Sequence, residues 1–465
     1  MRTWTDRYSA AFAFATVAML LLPMLGAVLS SLARPVDPSR VGAGVALVLL
    51  AYAGYLALVR RFGPVATSAA DAAWRVLSPL PRRGVLRRTV GVLVAVALAS
   101  GLILAVGGLS AVGVRDQFAL RVLTAGVTGI SATVGGMAVA VLAQASPAWD
   151  VWLLGVIVAL VVLAVLAAVL GTGPPASLAG VPAAAVAAVL VRLAWAALER
   201  VPARSILDAS TRAGRVVTAA FLVDPSALSW IAEDEHWRRR RLRSRPWPRR
   251  FPGALVLAWS DWRRLARRPG RWALLAAGVV LPVLTARAGG GITVVTVAVV
   301  AVGAFAAAAA CTAGARRDVD DPSLVRLSGV GVRAALAARA LLPALVGGAW
   351  LSLALTGLVV VGALGAGPWW LFGPAAAPAL AAGALRMARR GPVDYSMPLV
   401  PIPGGAMVSA PMLWAVTGVD LAALGCVPVL SALWAQPHAL GPSLVAQAVS
   451  GALVAAVFLL PRRSS

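Results

Sequence analysis

Residues 90–114 read VGVLVAVALASGLILAVGGLSAVGV, a run without a single charged side chain. An apolar run of about 20 residues can cross the ~30 Å hydrocarbon layer of a membrane as a helix that satisfies its own backbone hydrogen bonds. Similar runs recur along the chain, in which 60% of the residues are hydrophobic and only 13% are charged. Because soluble domains carry about 25% charged residues, the sequence predicts an all-α polytopic membrane protein.

The apolar runs predict about twelve transmembrane helices, arranged as two six-helix bundles that repeat each other. The first six cover residues near 10–32, 41–59, 90–114, 122–143, 151–170 and 181–198. The second six cover residues near 272–286, 292–314, 340–364, 371–385, 405–435 and 440–460. The predicted organisation is therefore a six-span half at 1–198, a basic cytoplasmic linker at 199–271 and a second six-span half at 272–465.

The positions of the basic residues orient these spans. Every basic residue is Arg, and the formal net charge is +25. With the N-terminus in the cytoplasm, 36 of the 42 Arg residues fall in cytoplasmic segments. Because Lys and Arg near span ends are retained on the cytoplasmic side, both termini are predicted to be cytoplasmic. The absence of Lys and the abundance of Ala, Val and Arg are typical of a bacterial protein, here of the cytoplasmic (inner) membrane.

Three short matches, in the same order and about 250–259 residues apart, support two related halves. The first matches Trp4-Thr5-Asp6-Arg7 to Trp259-Ser260-Asp261-Trp262-Arg263, and the second matches Leu22-Pro23-Met24-Leu25 to Leu281-Pro282-Val283-Leu284. The third matches residues 77–86 to residues 327–336. Parallel repeats of this kind indicate two related bundles fused in one chain.

The cytoplasmic segment WRVLSPLPRRGVL at residues 74–86 resembles a loop in type 2 ABC exporter permeases. In that family the loop between the second and third spans carries the coupling helix, which docks into the ATPase subunit. The resemblance implies one docking turn in each half, at Ser78, Pro79, Arg82 and Arg83 in the first and at Ser328, Gly329 and Arg333 in the second. The second copy departs from the family pattern, since it has Gly in place of Pro and one Arg in place of two.

Residues 258–272 resemble the amphipathic connecting helix that lies on the membrane before the first span of these permeases. Trp259, Trp262, Leu265 and Trp272 can face the acyl chains, while an Arg set that includes Arg263 and Arg264 faces headgroups and water. Asp261 belongs to the same motif. A simple interfacial anchor is the alternative interpretation of this helix.

The chain lacks the residues that ATP hydrolysis needs. The G-x-x-x-x-G-K-[ST] loop reaches the phosphates through its Lys, and this chain has none. ATP and Mg²⁺ are therefore expected on a partner ABC ATPase, present in two copies, and not in this chain, which we predict is no enzyme. The acidic run Asp318-Val319-Asp320-Asp321 is better explained as a solvated loop or helix start than as a metal site, and no metal, cofactor or nucleic acid partner is predicted.

The predicted function is that of the permease subunit of an ATP-driven exporter, moving an amphipathic or lipidic cargo through the bilayer by alternating access. One alternative is an ion-coupled secondary transporter, whose coupling carboxylate would be Asp420, within the overlong apolar run 405–435. The interpretation favoured over that one ends a span near Val419 and lets Asp420 cap a short re-entrant helix on the outer side. A non-transporting membrane scaffold is the other alternative.

Overall fold

The computed structural model describes residues 38–67, 74, 78, 81–112, 118–171, 180–221, 253–323, 329–391, 393–394, 396, 400–401 and 407–459. The predicted first span, residues 10–32, lies outside this part of the chain. The described residues divide into two compact units, Met1–Gly214 and Arg215–Ser465. The two units are described separately below.

The first unit consists of helices. They are α1 (Pro38–Phe62), α2 (Arg82–Val112), α3 (Phe118–Ala145), α4 (Pro147–Leu170), α5 (Gly180–Ala197) with a 3₁₀ turn at Leu198–Arg200, and α6 (Ala203–Phe221), within which the boundary between the units falls. Helix α3 is central, since it packs against α1, α2, α4 and α5. Its buried face is rich in Gly and Ala, which lets its neighbours approach closely, as is usual in membrane helix bundles.

The second unit contains the remaining helices and one short strand pair. The helices are α7 (Leu255–Ala266), α8 (Pro269–Gly289), α9 (Val294–Ala309), α10 (Ala313–Asp320), α11 (Val332–Val360), α12 (Phe372–Ala388), α13 (Ala410–Val416), α14 (Val419–Gly425), α15 (Val427–Ala435) and α16 (Gly441–Leu459). Strands β1 (Val400–Pro401) and β2 (Met407–Val408) pair antiparallel. Helix α12 lies at the centre, in contact with α9, α11, α14 and α16.

Nine helices of the described chain are long and apolar enough to cross a membrane: α1, α2, α3, α4, α5, α8, α11, α12 and α16. The count becomes ten if α9 and α10, which meet at a 53° bend, form one span. The prediction of an all-α membrane protein is confirmed. The described residues, which exclude the predicted first span, confirm neither the twelve spans nor their arrangement as two repeated bundles.

The part of the overlong apolar run that the structure describes, residues 407–435, is not one continuous helix, and it breaks close to Val419, where the sequence predicts the end of a span. These residues divide into β2, α13, α14 and α15, with breaks at Gly418, whose φ is 98°, and at Cys426. Helices α14 and α15 run antiparallel to α12, because Gly418 meets Met387 near the end of α12 and Leu440 meets Gly367 just before its start. Residues 419–435, which are the two helices and Cys426 between them, would extend about 25 Å at 1.5 Å per residue, close to the thickness of the hydrocarbon layer.

The break between α14 and α15 is closed by a side chain of α16. The Gln447 side chain is fully buried, and its Oε1 accepts from Val429 N at 3.0 Å while its Nε2 donates to Gly425 O at 2.6 Å. Helix ends leave backbone groups without intrahelical partners, and in an apolar environment each such group is costly. Gln447 therefore supplies hydrogen-bond partners to backbone groups that the break between α14 and α15 would otherwise leave without them.

Candidate functional site

The chain that follows α1 is held at its base by α3 and α6. Gln144, at the end of α3, binds both backbone polar groups of Val65 in this loop. Its Oε1 accepts from Val65 N at 2.9 Å, and its Nε2 donates to Val65 O at 3.1 Å. Two residues later, Thr67 N donates to Ser210 Oγ at 3.0 Å. The segment that leads into the predicted first coupling turn therefore starts from residues that α3 and α6 hold in place.

The far end of the same loop is held where α2 begins. Arg82 donates through Nη1 to the carbonyl of Val201, and Arg83 Nε lies 3.1 Å from Glu199 Oε1. Both partners follow directly after α5. The two arginines that were assigned to docking therefore also fasten the start of α2 to the end of α5, through side chains that are partly exposed.

The base of the second loop is closed by an ion cluster. Arg339 of α11 bonds Asp318 of α10 through two parallel hydrogen bonds, Nε to Oδ2 and Nη2 to Oδ1, both 2.9 Å. The same guanidinium donates through Nη1 to Asp261 Oδ1 of α7 at 2.7 Å. The loop between α10 and α11 contains Ser328 and Gly329 of the predicted second coupling turn, and the cluster joins the two helices on either side of it, about ten residues from that turn along the chain.

This cluster is deeply buried. The side chains of Arg339 and Asp261 are 7% and 4% exposed. Burial raises the pKa of the Asp261 carboxyl above its usual range, and Arg339 and Arg264 oppose that effect. Gly314 brings the α10 backbone against the cluster, where a Cβ atom would stand 2.2 Å from Asp261 Oδ1. The arrangement joins α7, α10 and α11 through one guanidinium.

The predicted coupling residues are placed as follows. Pro79 and Ser328 lie outside the described residues, while Ser78 is half-buried in a bend. Gly329 has a φ of 64°, a left-handed conformation that glycine adopts without strain, and this explains Gly where the first half has Pro. Arg333 is exposed in the first turn of α11. Docking at these positions stays a prediction.

The predicted interfacial helix is shorter than expected. Helix α7 ends at Ala266, so Trp272 belongs to α8, although its ring still packs edge-on against Trp262 at 5.8 Å between centroids. Leu265 is buried in the protein rather than in the membrane, and Arg263 lies over the Trp259 ring. Asp261 does not face headgroups, because it belongs to the buried cluster.

Asp420 lies in the first turn of α14, and its position corrects the sequence map. Its Oδ2 accepts from Arg386 Nη1 at 2.9 Å, and its Oδ1 accepts from Gly418 N at 2.7 Å. Arg386 was assigned to the cytoplasmic side and Asp420 to the outer side, and two residues in contact cannot lie on opposite sides. The α14 start therefore belongs to the Arg-rich end of α12.

Sequence reasoning missed four residues of these contacts: Gln144, Glu199, Arg339 and Gln447. Two of them are single amides in apolar helices, which is a usable signal, because polar side chains inside membrane helices are costly and are kept for a reason. Asp150, also missed, starts α4 and forms a bidentate pair with Arg60 at 2.7 and 2.8 Å.

The acidic run 318–321 is used for protein contacts. Asp318 binds Arg339, Asp320 lies 3.7 Å from Arg316, and Asp321 accepts from Ser323. Within the described residues, no group of three His, Cys, Asp or Glu side chains could hold a metal ion.

Residues 37–398 match the model of a family of unknown function, DUF6297. Since the match covers more than half of the 465 residues, the chain belongs to that family. Neither the curated proteins nor the solved structures contain a match to it.

Proposed function

We propose that this member of the DUF6297 family is the permease subunit of an ATP-driven ABC exporter, with two six-span halves in one chain and a separate ATPase. The observation that carries the proposal is that both predicted coupling loops are closed at their bases by side-chain contacts. Gln144, Arg82 and Arg83 close the first, and Arg339 closes the second. A loop fixed in this way can pass a displacement of its tip to the spans on either side of it.

In the second unit, the contacts through which a displacement of the coupling turn would reach other helices are the most direct. Arg333 and Arg339 lie on the same helix, α11, and Arg339 binds both α10 and α7. A partner that pulls on the start of α11 would move α7 and α10 with it. In alternating access, the nucleotide state of the ATPase would select between two arrangements of the bundles through such connections.

Repeated helix contacts support the two-half arrangement. If residues 10–32 form a first span, α1 to α5 are the second to sixth spans of one half, and α8, α9, α11, α12, α14–α15 and α16 form the other half. The contacts of α2 with α3, of α3 with α5 and of α3 with α4 then correspond to those of α11 with α12, of α12 with α16 and of α12 with α14.

A pair of close glycine contacts strengthens the correspondence. Helices α2 and α3 cross at Gly101 and Gly129, where a Cβ on Gly129 would meet Gly101 O at 2.6 Å. Helices α11 and α12 cross at Gly348 and Gly373, where a Cβ on Gly373 would meet Gly348 O at 2.3 Å. Gly348 follows Gly101 by 247 residues and Gly373 follows Gly129 by 244, close to the spacing of the sequence matches.

The geometry around Asp420 favours the exporter over the ion-coupled carrier. Asp420 is engaged by Arg386 and by the backbone at the start of α14, at an end of the bundle and not at its middle. A coupling carboxylate is expected near the middle of the membrane, where protonation or ion binding can be linked to transport.

The test is co-purification of the tagged chain from its native host in mild detergent. We expect an ATPase subunit to accompany the wild type and to be lost when Arg83→Glu and Arg333→Glu are combined. Arg287→Glu is the matched control, because Arg287 is an exposed Arg at the opposite end of the second unit's spans. Glu199→Gln, which removes the internal partner of Arg83, separates a folding effect from a docking effect. An absent ATPase, or one retained by the double variant, would overturn the proposal.

A further inference from the structure

The first unit contains an apolar cavity between α1, α3, α4 and α5. Its volume is about 350 Å³, within the range of ligand pockets in proteins. The walls include Leu56, Val139 and Leu153, each buried, and the rim includes Trp152 and Val186, which are 53% and 58% exposed on the surface of the unit. The cavity is thus lined mainly by apolar side chains and opens to the surface past exposed ones.

The cavity lies at membrane depth. Its lining residues Tyr52 and Leu56 on α1 lie about 12 and 6 Å from Arg60 at 1.5 Å per residue, and Leu153 and Val156 on α4 lie about 4.5 and 9 Å from Asp150, the partner of Arg60. An exposed rim at that depth faces lipid chains. A ligand that enters there comes from the hydrocarbon layer, because water is not present at this level of the bilayer.

The two tyrosine hydroxyls at the cavity are used within the protein. The Tyr52 hydroxyl donates to the Ala132 carbonyl at 2.7 Å, and the neighbouring Tyr55 hydroxyl donates to the Thr133 carbonyl at 3.0 Å. The remaining lining is Gly, Ala, Val, Leu, Pro, Ser and Trp. Such a site selects a hydrocarbon chain and offers little to a headgroup.

Small residues create the space, and helix packing does not require all of them. A Cβ on Gly136 would collide with Leu56 Cδ2 at 2.5 Å, so Gly136 is needed where α1 and α3 cross. A Cβ on Gly135 would meet Ala187 at an ordinary 3.5 Å, so α3 and α5 could pack with a larger residue there. The absence of a side chain at Gly135 therefore leaves a space that close packing of α3 and α5 does not require.

We propose that this cavity binds one acyl chain of a membrane phospholipid that enters from the bilayer past Trp152 and Val186. The proposal concerns the first unit by itself and does not require transport or an ATPase. It would also give the exporter an entry point for a lipidic molecule.

The test uses the full-length protein in nanodiscs that contain a phosphatidylglycerol with a photoreactive diazirine in one acyl chain. After illumination, mass spectrometry locates the labelled residues. We expect label on Leu56, Val139 and Leu153, which are too buried for lipid on the outer surface to reach. Gly135→Leu should lower that labelling about tenfold, or by about 1.4 kcal/mol of binding free energy.

Gly126→Leu is the matched control, since Gly126 is on the same helix with open space around it. Ala183→Leu fills the cavity from α5 and gives a second variant if Gly135→Leu does not fold. Surface labelling of α4 should stay constant in all variants. The proposal is refuted if the buried wall is unlabelled in the wild type, or if its labelling is unchanged by whichever filling variant folds.

Discussion

Replacement of Arg339 of α11 by Met should strongly destabilise the second unit. The substitution keeps an apolar side chain of comparable length and removes three hydrogen bonds to carboxylates, two to Asp318 and one to Asp261. It leaves a 4% exposed carboxylate at Asp261 without its main partner. Breaking a buried ion pair on one side costs about 3–5 kcal/mol, and we expect a loss in that range.

The assay is unfolding of the purified protein in mixed micelles with increasing dodecyl sulfate, followed by circular dichroism. Arg333→Met, an exposed position on the same helix, is the control and should change stability by no more than about 0.5 kcal/mol. A triple variant that also carries Asp261→Asn and Asp318→Asn should recover part of the loss, because it removes the whole cluster rather than one partner. A loss below about 1 kcal/mol in Arg339→Met, or a triple variant that loses as much as the separate changes combined, would refute the reasoning.

Three further substitutions test other contacts, each by the same unfolding assay. Gly314→Ala should lower the free energy of unfolding by about 1–3 kcal/mol, because its Cβ would overlap the buried cluster. The control Gly155→Ala, which adds a Cβ in open space, should have no measurable effect, and equal stability of the two variants would contradict this. Gln447→Leu should cost about 1–3 kcal/mol, since Val429 N would lose its acceptor at the break before α15, and an unchanged stability would show that the break is satisfied otherwise. Asp420→Asn should cost about 0–1 kcal/mol because its ion pair is partly exposed, and export should persist; complete loss of transport in a stable Asp420→Asn protein would favour the carrier.

Most of the helices could be predicted because an uncharged run of 20 residues admits few other structures in a membrane. Helix α2 illustrates this: its apolar part was predicted from residue 90, whereas the helix starts at Arg82. Its first turns were assigned to the cytoplasmic segment because they are basic, but Arg side chains at a span end extend to the polar interface while the backbone continues as helix.

The site could be predicted only in part, because its contacts join residues far apart in the chain. Asp261 and Arg339 are 78 residues apart, and hydropathy assigned each to a solvated or interfacial position. An amphipathic pattern shows that one face of α7 is apolar, but not whether lipid or protein covers it, and Leu265 turned out to be covered by protein. Asp420 was misplaced for a different reason: the break at Gly418 lies where the sequence predicts a span to end, but hydropathy does not show at which end of the bundle that break falls.

Native mass spectrometry of the protein, released from nanodiscs prepared from its own host, measures directly whether this chain is the membrane half of a complex with two copies of an ATPase. We expect a complex of one 47.4 kDa chain with two copies of a protein that contains a phosphate-binding loop. A chain that is detected alone, under conditions that keep other ABC exporters of the same host intact, would contradict it.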